Sequence, residues 1–158
     1  MTQKNTTQAF SNATIKVRDL VEGYINNTIE EEGGITTMNG RLNILPKYQR
    51  VYNADIRPMW RENLIDSILC GFPINRVYIG VCDDGTYEMI DGQRRTRTIC
   101  EFVKGNFSIT KDGGPYYFHN LSKEEQELIL DYPLDVTYCI GSESVRVAWF
   151  KRLKQSTL

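Results

Sequence analysis

Histidine is the scarcest reactive residue in this sequence of 158 amino acids, with His119 as its single example. The four cysteines, Cys70, Cys82, Cys100 and Cys139, are widely separated and form no Cys-x-x-Cys pair. Nuclease sites of the HNH type and zinc hydrolase sites normally use two or more histidines, and zinc ribbons use paired cysteines. We therefore expect no nuclease active site in this chain, and we expect reduced, mostly buried thiols rather than a disulfide framework.

Long apolar runs are also missing from the sequence. No stretch approaches about 18 consecutive apolar residues, and residues 1–13 lack the basic-then-apolar pattern of a secretory signal. We therefore expect a cytoplasmic protein that does not contact a membrane. With 41% apolar residues, the chain is long enough for one compact domain and too short for two of ordinary size. We expect a flexible polar tail over residues 1–13 and one domain over residues 14–158.

An excess of charge of one sign is absent as well, because 19 basic and 20 acidic residues leave a net charge of −1. The chain therefore lacks the overall positive field that drives nonspecific binding to nucleic acid. Its basic residues are locally concentrated in two clusters: Arg94, Arg95 and Arg97, and then Arg146, Lys151, Arg152 and Lys154. We expect anions to bind at these clusters. Weak nucleic-acid contacts are expected at Arg97, Arg146, Lys151 and Arg152.

Hydrophobic periodicity and turn residues predict a mixture of helices and strands, which is typical of the α+β class. Helices are predicted from Val17 towards Gly33-Gly34, over 57–70, over 93–104, after Ser122 and over 143–154. Strands are predicted within 35–52 and at 77–81, 87–90, 107–109 and 134–140. Asp84-Gly85 favours a hairpin turn between the second and third of these strands, and Ser122 with Glu125 forms a capping box.

The strongest chemical feature is Ile90-Asp91-Gly92-Gln93-Arg94-Arg95-Thr96-Arg97-Thr98, at a predicted junction from strand to helix. Three arginines in the first turn oppose the partial positive charge of the helix start, so they destabilise it unless an anion is bound. Free backbone N–H groups there also bind anions, and Gly92 lets a ligand approach the backbone closely. The segment is therefore suited to binding a phosphate.

Helical phase separates the three arginines of this segment. Arg95 shares the apolar face of the predicted helix, whereas Arg94 and Arg97 lie on its exposed face. An arginine on an apolar face needs a partner, which is either a phosphate or a carboxylate such as that of Asp91. For Arg94 and Arg97, the alternative to a phosphate contact is a solvated charge.

Asp91, at the end of the predicted strand, has two open interpretations. It holds a magnesium ion or positions a water for attack on a phosphate, or it caps the following helix. Further upstream, the segment Pro46-Lys47-Tyr48-Gln49-Arg50 offers two more ligands for a nucleotide. Arg50 is a second planar donor group suited to phosphate, and Gln49 is a neutral donor and acceptor.

Three motifs occur in order along the chain: Pro46-x-Tyr48-Gln49-Arg50, Leu64-Ile65-x-Ser67-Ile68-Leu69-x-Gly71-x-Pro73-Ile74, and Ile90-Asp91-Gly92-Gln93-x-Arg95-x-x-Thr98-Ile99. Together they resemble the DUF262 family, the N-terminal domain of GmrSD-type restriction endonucleases, over roughly residues 14–153. The resemblance implies a ParB/sulfiredoxin-like fold with a small mixed sheet flanked by helices. It also implies binding and hydrolysis of nucleoside triphosphates in defence against modified phage DNA, with cleavage by a separate C-terminal HNH domain or partner subunit.

The resemblance also implies which residues form the nucleotide site. They are Asp91, Gly92, Gln93 and Arg95, with Gln49 and Arg50 lining the site from the other side. We expect Asp91 and Arg95 to be the catalytic residues and Asp91 to hold Mg²⁺, and we add Arg94 and Thr98 to the nucleotide-binding residues. Two positions depart from the family pattern. Arg94 stands where members commonly have Gln, and Thr96-Arg97 stands where they have Leu-Thr. The extra charge would change the nucleotide preference or turn the site towards a nucleic-acid backbone.

Three functions are compatible with these patterns. The leading hypothesis is a nucleotide-binding, NTP-hydrolysing domain that regulates a nuclease. The second is a non-enzymatic ParB-like DNA-binding module that contacts phosphates through Arg94, Arg97 and the last helix. The third is an interaction protein without activity, and homo-oligomers are compatible with all three. The family's next block begins at Phe150-Lys151-Arg152-Leu153 and meets the terminus, which indicates either a shortened chain or a small stand-alone relative.

Overall fold

The computed structural model describes residues 9–27, 34–46 and 56–156. The helices in these ranges are α1 (Val17–Leu20), α2 (Pro58–Leu69), α3 (Gln93–Val103), α4 (Lys123–Leu130) and α5 (Glu143–Ser156). The strands are β1 (Ala9–Lys16), β2 (Ile25–Asn26), β3 (Ile35–Thr37), β4 (Leu42–Asn43), β5 (Val77–Val81), β6 (Tyr87–Asp91), β7 (Ile109–Lys111), β8 (Gly114–Tyr116) and β9 (Pro133–Ile140). The predicted α+β class is confirmed. None of the described helices has the length and apolar character needed to cross a membrane.

Seven of these strands form one mixed sheet in the order β1-β9-β5-β6-β4-β3-β2, and β7 and β8 form a separate hairpin. The predicted antiparallel pair of β5 and β6 is confirmed, with Gly85 in the turn at a positive φ of 85°. The β5–β9 and β4–β6 pairs are parallel, which makes the sheet mixed. The ParB/sulfiredoxin-like topology stays a prediction.

The two faces of the sheet carry separate apolar clusters. Met89 of β6 belongs to the main core, which also contains the buried side chains of α2, α3 and α4. The next residue, Ile90, belongs to a smaller cluster with Cys139 of β9 and Phe150 of α5. Since neighbouring residues of a strand point to opposite faces, α5 lies across the sheet from the other long helices.

Two ion pairs determine the direction of α5 relative to β6. Arg146, in the first turn of α5, pairs with Glu88 of β6, and Lys154, in the last turn, approaches Asp91 at the end of β6. The helix therefore runs in the same direction as the strand. Its C-terminal turn reaches the junction between β6 and α3, which the sequence had marked as the chemical feature of the chain.

The predicted tail over residues 1–13 differs from the structure in its second half. Residues 9–13 are part of β1, which pairs antiparallel with β9 from Ala9↔Ile140 to Lys16↔Pro133. Most side chains of this edge strand are exposed, so its composition is polar, like that of a tail. Residues 1–8 lie outside the described residues, where the tail stays a prediction.

The first predicted helix is also wrong, because α1 is a single turn that ends at Leu20. Gly23 follows with a positive φ of 70°, and a Cβ at Gly23 would lie 2.7 Å from Oδ1 of Asn39. Val17, Leu20 and Tyr24 are buried, as their spacing indicated. The chain then enters β2 at Ile25, before the predicted helix end at Gly33-Gly34. The predicted strand over 107–109 lies two residues later, as β7.

Candidate functional site

The candidate site lies where β6 ends and α3 begins, and Gly92 makes this junction possible. Gly92 has a positive φ of 120°, and a Cβ at this position would lie 2.4 Å from Cγ1 of Val77. Gly92 is itself the N-cap residue of α3, and no side chain caps the helix start. The interpretation of Asp91 as the helix cap is therefore wrong. The first N–H groups of α3 have no side-chain acceptor from the cap, which leaves them to bind an anion.

Arg95, in the first turn of α3, is sheltered as its helical phase predicted, with 17% of its side chain exposed. Its Nη2 donates to the carbonyl oxygen of Arg76 at 2.9 Å and lies 3.6 Å from Oδ2 of Asp91. Its Nε is buried and has no hydrogen-bond partner among the described residues. Burial lowers the pKa of the Arg95 guanidinium, and the Asp91 carboxylate opposes this shift only in part. The structural bridge to Asp91 is thus present, and the guanidinium still gains from a further anion.

Asp91 lies between two cations, with its side chain 21% exposed. Oδ2 faces Arg95, and Oδ1 lies 3.9 Å from Nζ of Lys154. Asp91 thus faces cations from two different helices. The part of the chain that the structure describes contains no group of three or more His, Cys, Asp or Glu that could hold a metal. A magnesium ion at Asp91 would therefore depend on phosphate oxygens and water for its other ligands, which suits its coordination preferences.

A polar network connects this junction to the edge of the sheet. Nη1 of Arg76 lies 3.0 Å from Oγ1 of Thr137 and 3.4 Å from Oδ1 of Asn12. The Thr137 hydroxyl donates to the same Asn12 oxygen at 2.8 Å. The carbonyl group of Arg76 accepts the hydrogen bond from Arg95. Asn12 of β1 and Thr137 of β9 thus hold Arg76, the residue before β5, and Arg76 in turn holds Arg95; the sequence analysis missed all three.

The remaining predicted nucleotide-binding residues have different environments. Gln93 is half-buried, with its Nε2 3.5 Å from the carbonyl oxygens of Met89 and Ile90. Arg94 is exposed, as predicted. Thr98 is fully buried, which does not fit direct contact with a nucleotide. Gln49 and Arg50 lie outside the described residues, so their prediction stays open.

The predicted nucleic-acid contacts divide into buried and exposed residues. Arg146 is 7% exposed, its Nε lies 2.6 Å from Oε1 of Glu88, and its Nη1 donates to the carbonyl of Gly141 at 2.7 Å. The expectation that Arg146 contacts nucleic acid is therefore wrong, because this arginine fastens α5 to the sheet. Lys151 and Arg152 are exposed.

Arg97 also differs from its prediction. It is half-buried rather than exposed, in the neighbourhood of Tyr24 and Glu101. Burial raises the pKa of the Tyr24 phenol, with Glu101 as the next cause, while Arg97 opposes the shift. Helical phase missed this because the chain around Tyr24 folds back over that face of α3. Arg94 is therefore the exposed arginine of this turn.

A sheltered arginine beside a helix start without a side-chain cap is an arrangement that favours an anionic ligand. The chain belongs to the family described as GmrSD restriction endonuclease, N-terminal domain, whose model matches residues 21–147. The resemblance seen in the three motifs is thereby confirmed, and the family connects the chain with a restriction system. No curated protein and no solved structure matches the chain.

Proposed function

We propose that this domain binds a nucleoside triphosphate at the junction of β6 and α3, hydrolyses it with Mg²⁺, and so regulates the nuclease of a restriction system directed against phage DNA. The observation that carries the proposal is Arg95. Its guanidinium is largely buried, its Nε has no described partner, and it lies beside a helix start without a side-chain cap. A phosphate is the ligand that satisfies both features at once.

The charges around Asp91 suggest how a nucleotide would engage the site. Phosphate oxygens would bind to the N–H groups at the start of α3, beside Arg95 and Lys154. The Asp91 carboxylate lies between these two cations. Arg95 then stabilises the negative charge that develops on the transferred phosphoryl group.

Asp91 would be the residue that holds magnesium. When bound, the ion would neutralise charge on the phosphate oxygens. The carboxylate of Asp91 also accepts a hydrogen bond from an attacking water, which orients that water towards the terminal phosphorus. Gly92 contributes through its positive φ and its lack of a Cβ, which let the chain pass from β6 into the start of α3 beside Val77.

The nuclease that this domain would regulate is expected in another domain or subunit of HNH type. Binding of DNA through basic residues alone is the weaker candidate, because Arg146 is buried and Arg97 is half-buried. Of the basic residues predicted to contact nucleic acid, Arg94, Lys151 and Arg152 remain exposed, on two different helices. Such a set gives little affinity for a nucleic-acid backbone.

Phosphate release from each of the four ribonucleoside triphosphates with Mg²⁺ tests the proposal. We expect turnover of at least one nucleotide and its loss in Asp91→Asn, an isosteric change that removes the charge. Because Asp91 is partly exposed, the variant should lose on the order of 1 kcal/mol of stability or less. A folded Asp91→Asn variant with unchanged turnover would disprove the role of Asp91. Absence of binding of every nucleotide and of inorganic tripolyphosphate to the wild type would disprove the phosphate site.

A further inference from the structure

Three aromatic side chains from three different elements meet beside the candidate site. Phe10 of β1 stacks at a tilt on Trp149 of α5, with ring centroids 4.0 Å apart, and Tyr78 of β5 lies 5.9 Å from Trp149. Phe10 is 45% exposed, and the other two rings are half-buried. These rings, here named the aromatic surface, therefore present apolar faces to solvent at the edge of the small cluster under α5.

The aromatic surface is continuous with the phosphate site. Tyr78 is the sheet partner of Asp91. Trp149 and Lys154 lie on the same helix, about 7.5 Å apart along its axis, and Lys154 reaches Asp91. In a nucleotide, the sugar separates the base from the phosphates by a distance of this order.

Asn12 supplies a polar group next to these rings. It lies two residues after Phe10, so both side chains project from the same face of β1. Its Oδ1 accepts from Thr137 and Arg76, which orients the amide with its Nδ2 donors away from those partners. No described residue accepts a hydrogen bond from these donors, which suit an acceptor atom on the edge of a base.

We propose that the aromatic surface binds the base of the nucleoside triphosphate, with the base stacked on Trp149 and Phe10 and with Asn12 donating to its edge. The inference rests on the proposed function, because it assumes that the phosphates of the same molecule lie at Asp91 and Arg95. Stacking tolerates every base, whereas the amide of Asn12 favours bases with an acceptor on the facing edge. The aromatic surface thus supplies affinity for any base, and Asn12 supplies a preference among the bases.

The two tryptophans of the chain allow a direct test. Trp60 lies on α2, so Trp60→Phe leaves Trp149 as the sole tryptophan fluorophore. In this variant, we expect nucleoside triphosphates with Mg²⁺ to quench the fluorescence of Trp149, after correction for absorbance with free tryptophan amide. Inorganic tripolyphosphate should compete with the nucleotides for binding and leave the fluorescence unchanged. Equal effects of tripolyphosphate and nucleotides would overturn the assignment of the base.

Calorimetric titration of variants with nucleotides and with tripolyphosphate is the second test. Trp149→Leu should weaken nucleotide binding by roughly 5- to 150-fold, the range of one base stacked on an aromatic ring, and leave tripolyphosphate binding unchanged. Phe10→Leu, on the exposed edge strand, should act in the same direction and serves if Trp149→Leu fails to fold. Trp60→Leu is the matched control and should bind as the wild type does. Wild-type affinity for nucleotides in both aromatic variants would overturn the inference.

The remaining outcomes separate this inference from the function on which it rests. If tripolyphosphate does not bind but nucleosides without phosphates quench the fluorescence of Trp149, the assignment of the phosphate site is wrong and the assignment of the base to the aromatic surface is supported. If nucleosides and nucleotides both leave the fluorescence of Trp149 unchanged, the assignment of the base to the aromatic surface is wrong. Quenching by a single-stranded oligonucleotide that no nucleotide displaces would assign the rings to nucleic acid instead and overturn the nucleotide assignment.

Discussion

At the scale of single residues, Arg95 is unusual because two groups determine the position of its guanidinium. The carbonyl of Arg76 fixes one nitrogen, and Asp91 supplies the opposite charge. An arginine fixed in this way loses little conformational entropy when it binds a ligand. A surface arginine such as Arg94 has to be ordered first. Arg95 and Arg94 therefore differ in the conformational entropy that each loses when it binds a ligand.

Conservative substitution of these two neighbours should separate them. Arg95→Lys keeps the charge but loses the planar fork, so nucleotide affinity should fall by about 1 to 3 kcal/mol. Arg94→Lys, on the exposed side of the same turn, should change affinity by much less. Isothermal titration with nucleotide and Mg²⁺ measures both. Equal and small effects would mean that Arg95 serves only as a structural bridge to Asp91.

At the scale of elements, α5 depends on its pair with β6. The side chains of Arg146 and Glu88 are both largely buried, with Nε and Oε1 2.6 Å apart, so substitution of Arg146 removes a close ion pair from a buried carboxylate. Arg146→Met keeps most of the apolar stem and should destabilise the fold by about 3 to 5 kcal/mol. Urea denaturation measures this change. The double variant Glu88→Leu/Arg146→Met should recover much of the loss, whereas a single variant within about 1 kcal/mol of wild type would contradict the role of the pair.

Elements whose signals are local could be predicted from the sequence. The four long helices have apolar periodicity, and α4 also begins with a capping box at Ser122. The β5–β6 hairpin has an Asp-Gly pair in its turn. β1 has no such signal, because it is an exposed edge strand whose partner, β9, lies more than a hundred residues away. Its pairing depends on tertiary structure, which overrides a composition typical of a tail.

The candidate site shows the same division between local and distant signals. Asp91, Gly92 and Arg95 lie within five consecutive residues, so the motif and helical phase were enough to indicate them. Asn12 and Thr137 are 125 residues apart, and their contact with Arg76 exists only because β1, β9 and β5 are neighbours in the sheet. No spacing rule within one segment could have brought such residues together.

At the scale of the whole molecule, the chain is expected to require a partner for DNA cleavage. It has one histidine, and its described residues contain no metal-binding group of three or more ligands. We therefore expect no cleavage of phage DNA by the purified chain with Mg²⁺ or Mn²⁺, measured on gels over the range of protein concentrations that bind nucleotide. Cleavage that a substitution in this chain abolishes would contradict this expectation.

The position of β9 in the sheet has a consequence for how the protein is made. β9 lies between β1 and β5 in the sheet, so β1 acquires its partner only after the more than one hundred residues between the two strands have been synthesised. Closing so long a loop is entropically costly and slow, so these contacts form late in folding. A ribosome-bound intermediate that ends before β9 would carry the whole Asp91–Arg95 motif without the Asn12–Thr137 contact that holds the side chain of Arg76. The surroundings of Arg95 would then become complete only after β9 has joined the sheet.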